Sequence, residues 1–272
     1  MKFIAKLVLT IILIPVFLIF LLSINLRFQL LVPSFWQKAF VSGDVYSKLS
    51  LSINKNLESQ VIAQGGRAGD VKILTDLISS TNLEDMISKN VNNFLGYANG
   101  KASEIIVYIP VSKIPEPLLS QNFNAVKEQM SLPDLIKEFH VAGISANQIQ
   151  TISHVGEWTW LLFIFATLLL ALILFFLYLC VSAGKRLVAP AIALILSGLF
   201  GTAVYFLGTL IRKSWVGGLA GDSNTVNSLV GIMAPPIMEE ILRIWLLFSA
   251  GAMILGIVLL FFKKPGYIRK PK

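Results

Sequence analysis

Residues 158–211 read WTWLLFIFATLLLALILFFLYLCVSAGKRLVAPAIALILSGLFGTAVYFLGTLI. Residues 158–183 carry no charge, Lys185-Arg186 breaks the run, and residues 187–211 are uncharged again. A bilayer's hydrocarbon core is about 30 Å thick and takes about 20 apolar residues of helix. Each half of the stretch is long enough to cross with some tilt. A short turn holding two basic residues marks that turn as cytoplasmic, and Trp158 and Trp160 stand at the far end, where amphipathic rings favour the headgroup region. The stretch predicts a transmembrane hairpin, and the hairpin sets the side on which the rest of the chain lies.

Composition agrees. Of the 272 residues 55% are hydrophobic and 14% charged, against roughly 25% charged in ordinary soluble domains. Two further spans follow. The first runs from Ile4 to about Leu26 behind Lys2 and Lys6; its apolar run is longer than a typical signal-peptide core and no small-residue cleavage site follows, which predicts an uncleaved anchor. Pro15 predicts a kink within it. The fourth runs from about Ile237 to Phe262 and is followed by a basic tail of Lys263, Lys264, Arg269, Lys270 and Lys272.

With the N-terminus inside, every basic residue near the termini and the hairpin turn falls on one side with no acidic residue beside it, as the positive-inside rule expects. Residues 27–156 are neutral, with eleven Lys or Arg against eleven Asp or Glu. The net charge of +8 is therefore mostly topological, and no basic patch with interleaved aromatics points to nucleic acid. The predicted architecture is an all-α integral membrane protein in a plasma membrane, a bacterial one by preference, with both termini cytoplasmic. Its parts are span one (1–29), a mostly helical extracytoplasmic domain (30–156), span two (157–184), span three (187–211), an outer loop with a short amphipathic helix (212–236), span four (237–262) and a basic cytoplasmic tail (263–272).

Lipid provides no apolar driving force between helices, so close backbone approach matters. Ala193, Ser197, Gly201 and Gly208 in span three, and Ala252 and Gly256 in span four, offer small faces for packing, whereas span two reads as lipid-facing. No Asp, Glu, Lys, Arg or His is expected at mid-depth, which argues against a pump or ion-coupled transporter. Cys180 is the one cysteine, so the outer domain is expected to fold on its apolar core without a disulfide.

Within that domain Trp36, Phe40, Val41, Val45, Leu49, Ile53, Leu57 and Val61 recur at helical spacing and predict one amphipathic helix from Phe35 to about Ala63, with Ser34 as N-cap. The cluster Gly65-Gly66-Arg67-Ala68-Gly69 ends it as a linker. A short helix is expected over 70–79 and a second after Ser80-Thr81-Asn82, striped by Leu83, Met86, Ile87, Val91, Phe94 and Leu95. Residues 105–109 form a strand-like run bounded by Pro110. Helices are expected over 117–130 and 132–140, and a last turn from Ser145 into span two. The segment from Leu83 to Ser112, a helix ending FLGYANG and then the run IIVYIPVSK, resembles uncharacterised bacterial membrane proteins. These have an N-terminal anchor, a helical outer domain and three further spans. The resemblance implies that topology and no activity.

Four residues stand out as candidates for chemistry: Glu239, Glu240, Arg243 and His154. Met238-Glu239-Glu240-Ile241-Leu242-Arg243 is similar to the Glu-Glu-x-x-x-Arg of intramembrane CAAX-type proteases, where the glutamates act at a metal-activated water. The spacing here is one residue short, and both histidines, His140 and His154, precede span two. The plainer expectation places Glu239 and Glu240 in the first turns of a helix begun by Pro235-Pro236, with Arg243 pairing to either. Glu157 lies at pairing distance from His154, and Arg212 and Lys213 are expected to reach headgroups or carboxylates of the outer domain. No cofactor or metal is expected. The reading favoured is a non-enzymatic membrane protein whose outer domain binds a protein or envelope partner, as scaffold or accessory subunit, with self-association left open. A channel or transporter component and a membrane-bound hydrolase are the alternatives.

Overall fold

The computed structural model describes residues 2–63, 75, 78–111, 127–138, 146–181, 186–219 and 225–262. Its elements are α1 (Lys2–Asn25), a π-helical segment (Leu26–Leu30), α2 (Pro33–Ser42), α3 (Val45–Ala63), α4 (Ser80–Ala98), β1 (Ile106–Tyr108), β2 (Gln129–Ser131), α5 (Leu132–Glu138), α6 (Ala146–Ile152), α7 (Val155–Leu179), α8 (Val188–Leu219) and α9 (Thr225–Phe261). Four helical stretches are long and apolar enough to cross a membrane: Phe3–Leu30, Asn147–Leu179, Val188–Ser214 and Asn227–Phe261. The chain divides into two compact units, one of residues 1–29, 159–215 and 238–272, the other of residues 30–158 and 216–237.

The first unit is a bundle of α1, α7, α8 and the second part of α9. Leu13 and Val16 of α1 pack with Ile173 and Leu177 of α7 and Ala193 of α8, and Phe17 and Leu21 with Ala252 of α9. The small faces work by letting backbones touch. A Cβ on Gly198 would lie 2.6 Å from the Ser249 carbonyl oxygen, and one on Gly256 would lie 2.7 Å from that of Ala191. At Gly208 the Leu242 side chain fills the space, and Gly201 accommodates the Ser249 hydroxyl. Most of α7's large apolar side chains, among them Leu161, Phe165, Leu168, Leu172 and Phe176, are exposed.

The second unit is mostly helical around its own core. Phe40, Val45, Tyr46, Leu49 and Leu83 are buried together, backed by Leu229, Ile232, Met233 and Ile237 from the start of α9. Burying a side chain such as Phe40 contributes roughly 1.5–3 kcal/mol. A smaller cluster of Leu31, Leu95 and Ala98 takes in Ile152 and Val155.

Several local expectations are corrected. The single helix over 35–63 is two, because the chain turns at Gly43-Asp44, where Asp44 takes a positive φ of 51°; helical periodicity passes through the turn unbroken. Gly43 is required there, since a Cβ would meet the Pro236 ring at 2.6 Å. Val32, not Ser34, occupies the N-cap of α2, with Pro33 in the first helical turn and no side-chain cap; Pro33 needs no hydrogen bond for its nitrogen. Ser79 caps α4 by accepting from the Asn82 amide at 3.3 Å. Residues 105–109 are not a lone strand: β1 pairs antiparallel with β2, Val107 opposite Met130, so the C-terminal end of the helix expected over 117–130 is strand. Asn90 holds β1 against α4, accepting from the Tyr108 amide at 2.7 Å and donating to its carbonyl at 2.9 Å.

The largest correction concerns the end of the chain. The separate amphipathic helix of the outer loop and the fourth span are one 37-residue helix, α9, with Pro235 and Pro236 inside it. The third span likewise continues through Arg212 to Leu219. Proline inside a helix removes a backbone donor, yet the helix runs on through both. The Gly65–Gly69 linker, the expected 70–79 helix apart from residues 75, 78 and 79, His140, Lys185 and the basic tail lie outside the described residues.

Candidate functional site: the charged end of the bundle

Glu239, Glu240 and Arg243 lie well inside α9, not in its first turn, so the expected helix-dipole role does not apply to them. Their partners come from α9 itself and from other helices. Arg212 of α8 donates to Glu239 Oε2 at 2.7 Å. Arg243 stands 3.9 Å from Glu240 and is two-thirds exposed. Gln29, in the π-helical segment after α1, donates from Nε2 to the Glu240 carbonyl oxygen at 3.2 Å. Arg27 lies over the Trp160 ring of α7, 5.4 Å from its centre, a cation–π contact. Arg212 thus finds a carboxylate on the neighbouring bundle helix. The antiparallel course of α8 and α9, pinned by Gly201 against Ser249 and Gly208 against Leu242, brings these groups level.

His154 is not part of this group; it belongs to the second unit. It is exposed, 3.8 Å from Glu157, and stacks on Trp158 at 6.3 Å between ring centres. The four candidates therefore divide into a three-residue ionic group and a solvent-facing histidine. Among the described residues no cluster of three or more His, Cys, Asp or Glu side chains could hold a metal ion. Arg212 occupies the Glu239 carboxylate, and Arg243 is the charged neighbour of Glu240.

Below the charged end, the bundle buries polar groups that sequence reasoning passed over. Asn25 and Gln29 are buried, and the Oδ1 and Oε1 oxygens have no hydrogen-bond partner; the same holds for Trp245 Nε1 and the hydroxyls of Ser197 and Ser249. Of these, only Ser197 lies on a small face that the sequence marks for packing. The signal for Asn25 and Gln29 was present: with Phe17 and Leu21 they share one face at four-residue spacing.

The second unit holds a cavity of about 30 Å³ bordered by Trp36, Gln37, Tyr46, Ser88 and Asn92. Tyr46 and Ser88 both border it, and their buried hydroxyls have no geometrically formed hydrogen bond. Burial pushes the Tyr46 phenol above its usual range. Nearby, Lys89 bonds Asp85 at 3.0 Å and sits 3.9 Å above the Tyr108 ring; the Asp85 bond first, and the tyrosine second, raise its pKa.

No protein-family model, no curated protein and no solved structure matches the chain.

Proposed function

We propose that the chain is a non-enzymatic, multi-pass plasma-membrane protein that carries its second unit on the extracytoplasmic face to bind a protein or envelope partner, as a scaffold or accessory subunit. The observation that carries this reading is a helical unit with its own core, built around Phe40, Tyr46 and Leu49, on a chain with four helices apolar enough to cross a membrane. The orientation rests on Lys2, Lys6, Lys185, Arg186 and the basic tail lying on one side. The engagement of Glu239 by Arg212 supports a structural part for the ionic group. In the second unit Leu51 and Phe94 are exposed apolar side chains, of the kind that partner contacts bury. The buried oxygens of Asn25 and Gln29 and the hydroxyls of Ser197 and Ser249 favour a channel or transporter component as the second reading, because polar groups within a bundle mark solute paths.

The test is proximity crosslinking in native membranes. The whole protein is compared with a Leu51→Glu, Phe94→Lys double variant and with a chain lacking residues 34–150. Loss of the same specific partners in both altered chains supports the reading. Equal capture by all three chains, or no capture by the whole protein, defeats it.

A further inference from the structure

The apolar surface of the bundle is interrupted by a groove of about 540 Å³. Its walls include Phe17 of α1, Leu170 and Leu174 of α7, and Leu247, Gly251 and Leu255 of α9. Gly251 forms an open part of it: a Cβ there meets nothing within 4 Å. One helical turn before Leu247, on the same face of α9, stands Arg243. Its guanidinium is two-thirds exposed and lies 3.9 Å from Glu240, beyond hydrogen-bond distance.

Length and charge together identify an occupant. From Arg243 to Leu255 is twelve residues, or ~18 Å of helix at 1.5 Å per residue. One leaflet of the hydrocarbon core is ~15 Å deep, half of a bilayer core of about 30 Å. A cation thus stands one leaflet's depth above the far end of an apolar groove. At this end the bundle helices hold four basic residues (Arg27, Arg212, Lys213 and Arg243) against three acidic ones (Glu157, Glu239 and Glu240), a balance of +1. Guanidinium groups bind phosphate oxygens with strong, directional hydrogen bonds.

We propose that this groove is a binding site for one anionic phospholipid, with its phosphate on Arg243 and one acyl chain lying along Leu247, Gly251 and Leu255. The site lies in the bundle and is independent of any partner of the second unit. It requires α9 to cross the bilayer with Arg243 at headgroup level.

The test uses the full chain purified in detergent, titrated with phosphatidylglycerol or phosphatidylcholine and read by native mass spectrometry. The wild type is expected to retain one phosphatidylglycerol in preference to phosphatidylcholine. Arg243→Gln should weaken phosphatidylglycerol retention about fivefold, the factor for losing one basic residue at a lipid surface, and leave phosphatidylcholine unchanged. Gly251→Leu fills the groove from an open position and should abolish retention of both lipids, with helical content and elution volume unchanged. Equal retention of the two lipids by the wild type overturns the proposal, and that arm needs no variant to fold. Undiminished retention by Gly251→Leu also overturns it. So does a Gly251→Leu chain that changes from dimer to monomer with lipid retention intact, which would make a second copy the occupant.

Discussion

Replacing Gly198 by alanine probes the contact that holds α8 to α9. The added Cβ would lie 2.6 Å from the Ser249 carbonyl oxygen, 3.1 Å from the Met253 amide nitrogen and 2.5 Å from Met253 Cγ. The methionine side chain can move aside, but the backbone of α9 cannot. Ordinary carbon–oxygen contacts are about 3.3–3.6 Å, so the helices must separate by roughly the difference. Overpacking of this kind costs ~1–3 kcal/mol. Alanine also gains up to ~1 kcal/mol over glycine in helix propensity, which would mask part of the loss. Gly251→Ala supplies the control, because it is on the neighbouring helix and meets nothing within 4 Å. The propensity gain is common to both variants, so their difference isolates the steric cost. At ~2–4 °C per kcal/mol, Gly198→Ala should unfold about 2–12 °C below Gly251→Ala. Thermal unfolding of the purified chain in detergent, followed by tryptophan fluorescence, reads the gap. A Gly198→Ala protein that unfolds at or above the Gly251→Ala temperature refutes the packing argument.

Three further outcomes follow from the geometry. Asn90→Ala removes both hydrogen bonds to the Tyr108 backbone and should destabilise the second unit by ~1–3 kcal/mol, with faster hydrogen exchange at the Tyr108 amide. Tyr46→Phe deletes a buried hydroxyl that has no hydrogen-bond partner, so it should be neutral or stabilising at pH 7. The folded phenol's raised pKa means its share of stability is present below the unfolded value of 10.0 and is lost as pH rises through the folded value; alkaline unfolding above pH 10.0 should therefore be shallower in Tyr46→Phe. Glu239→Gln breaks the pair with Arg212, but Glu239 is 70% exposed. Denaturation should shift by at most ~1 kcal/mol, and a much larger loss would show that the carboxylate does more than pair at the surface.

The apolar helices were legible because lipid imposes a harsh rule: a spanning segment must satisfy its own backbone and carry little charge, and both demands are written locally in residues 158–183 and 187–211. The helical core of the second unit was legible for a related reason, since Phe40, Leu49 and Leu83 fall on periodic stripes. What escaped was set by tertiary contact. The turn at Gly43-Asp44 exists where the Pro236 ring, almost two hundred residues later, packs against Gly43. Pro235-Pro236 read as a helix start, because proline favours a first turn; in the fold the pair sits inside α9, with the Pro236 ring packed against Gly43. The Glu239 and Arg212 pair is 27 residues apart on two helices, and no periodicity within either could announce it. Residues 129–131 became a strand because β1 offered an edge to pair with.

The claim on which the functional reading rests is that the second unit lies across the membrane from the chain's basic ends. Single cysteines placed in a Cys180→Ser background test it, with a membrane-impermeant maleimide applied to intact cells. Leu51, 71% exposed in the second unit, and Lys6 and Arg186 at the other side of the predicted topology are the positions to use. Leu51→Cys should be labelled in intact cells, and Lys6→Cys and Arg186→Cys only after the membrane is permeabilised. Labelling of Lys6→Cys or Arg186→Cys in intact cells, with Leu51→Cys protected, would contradict it.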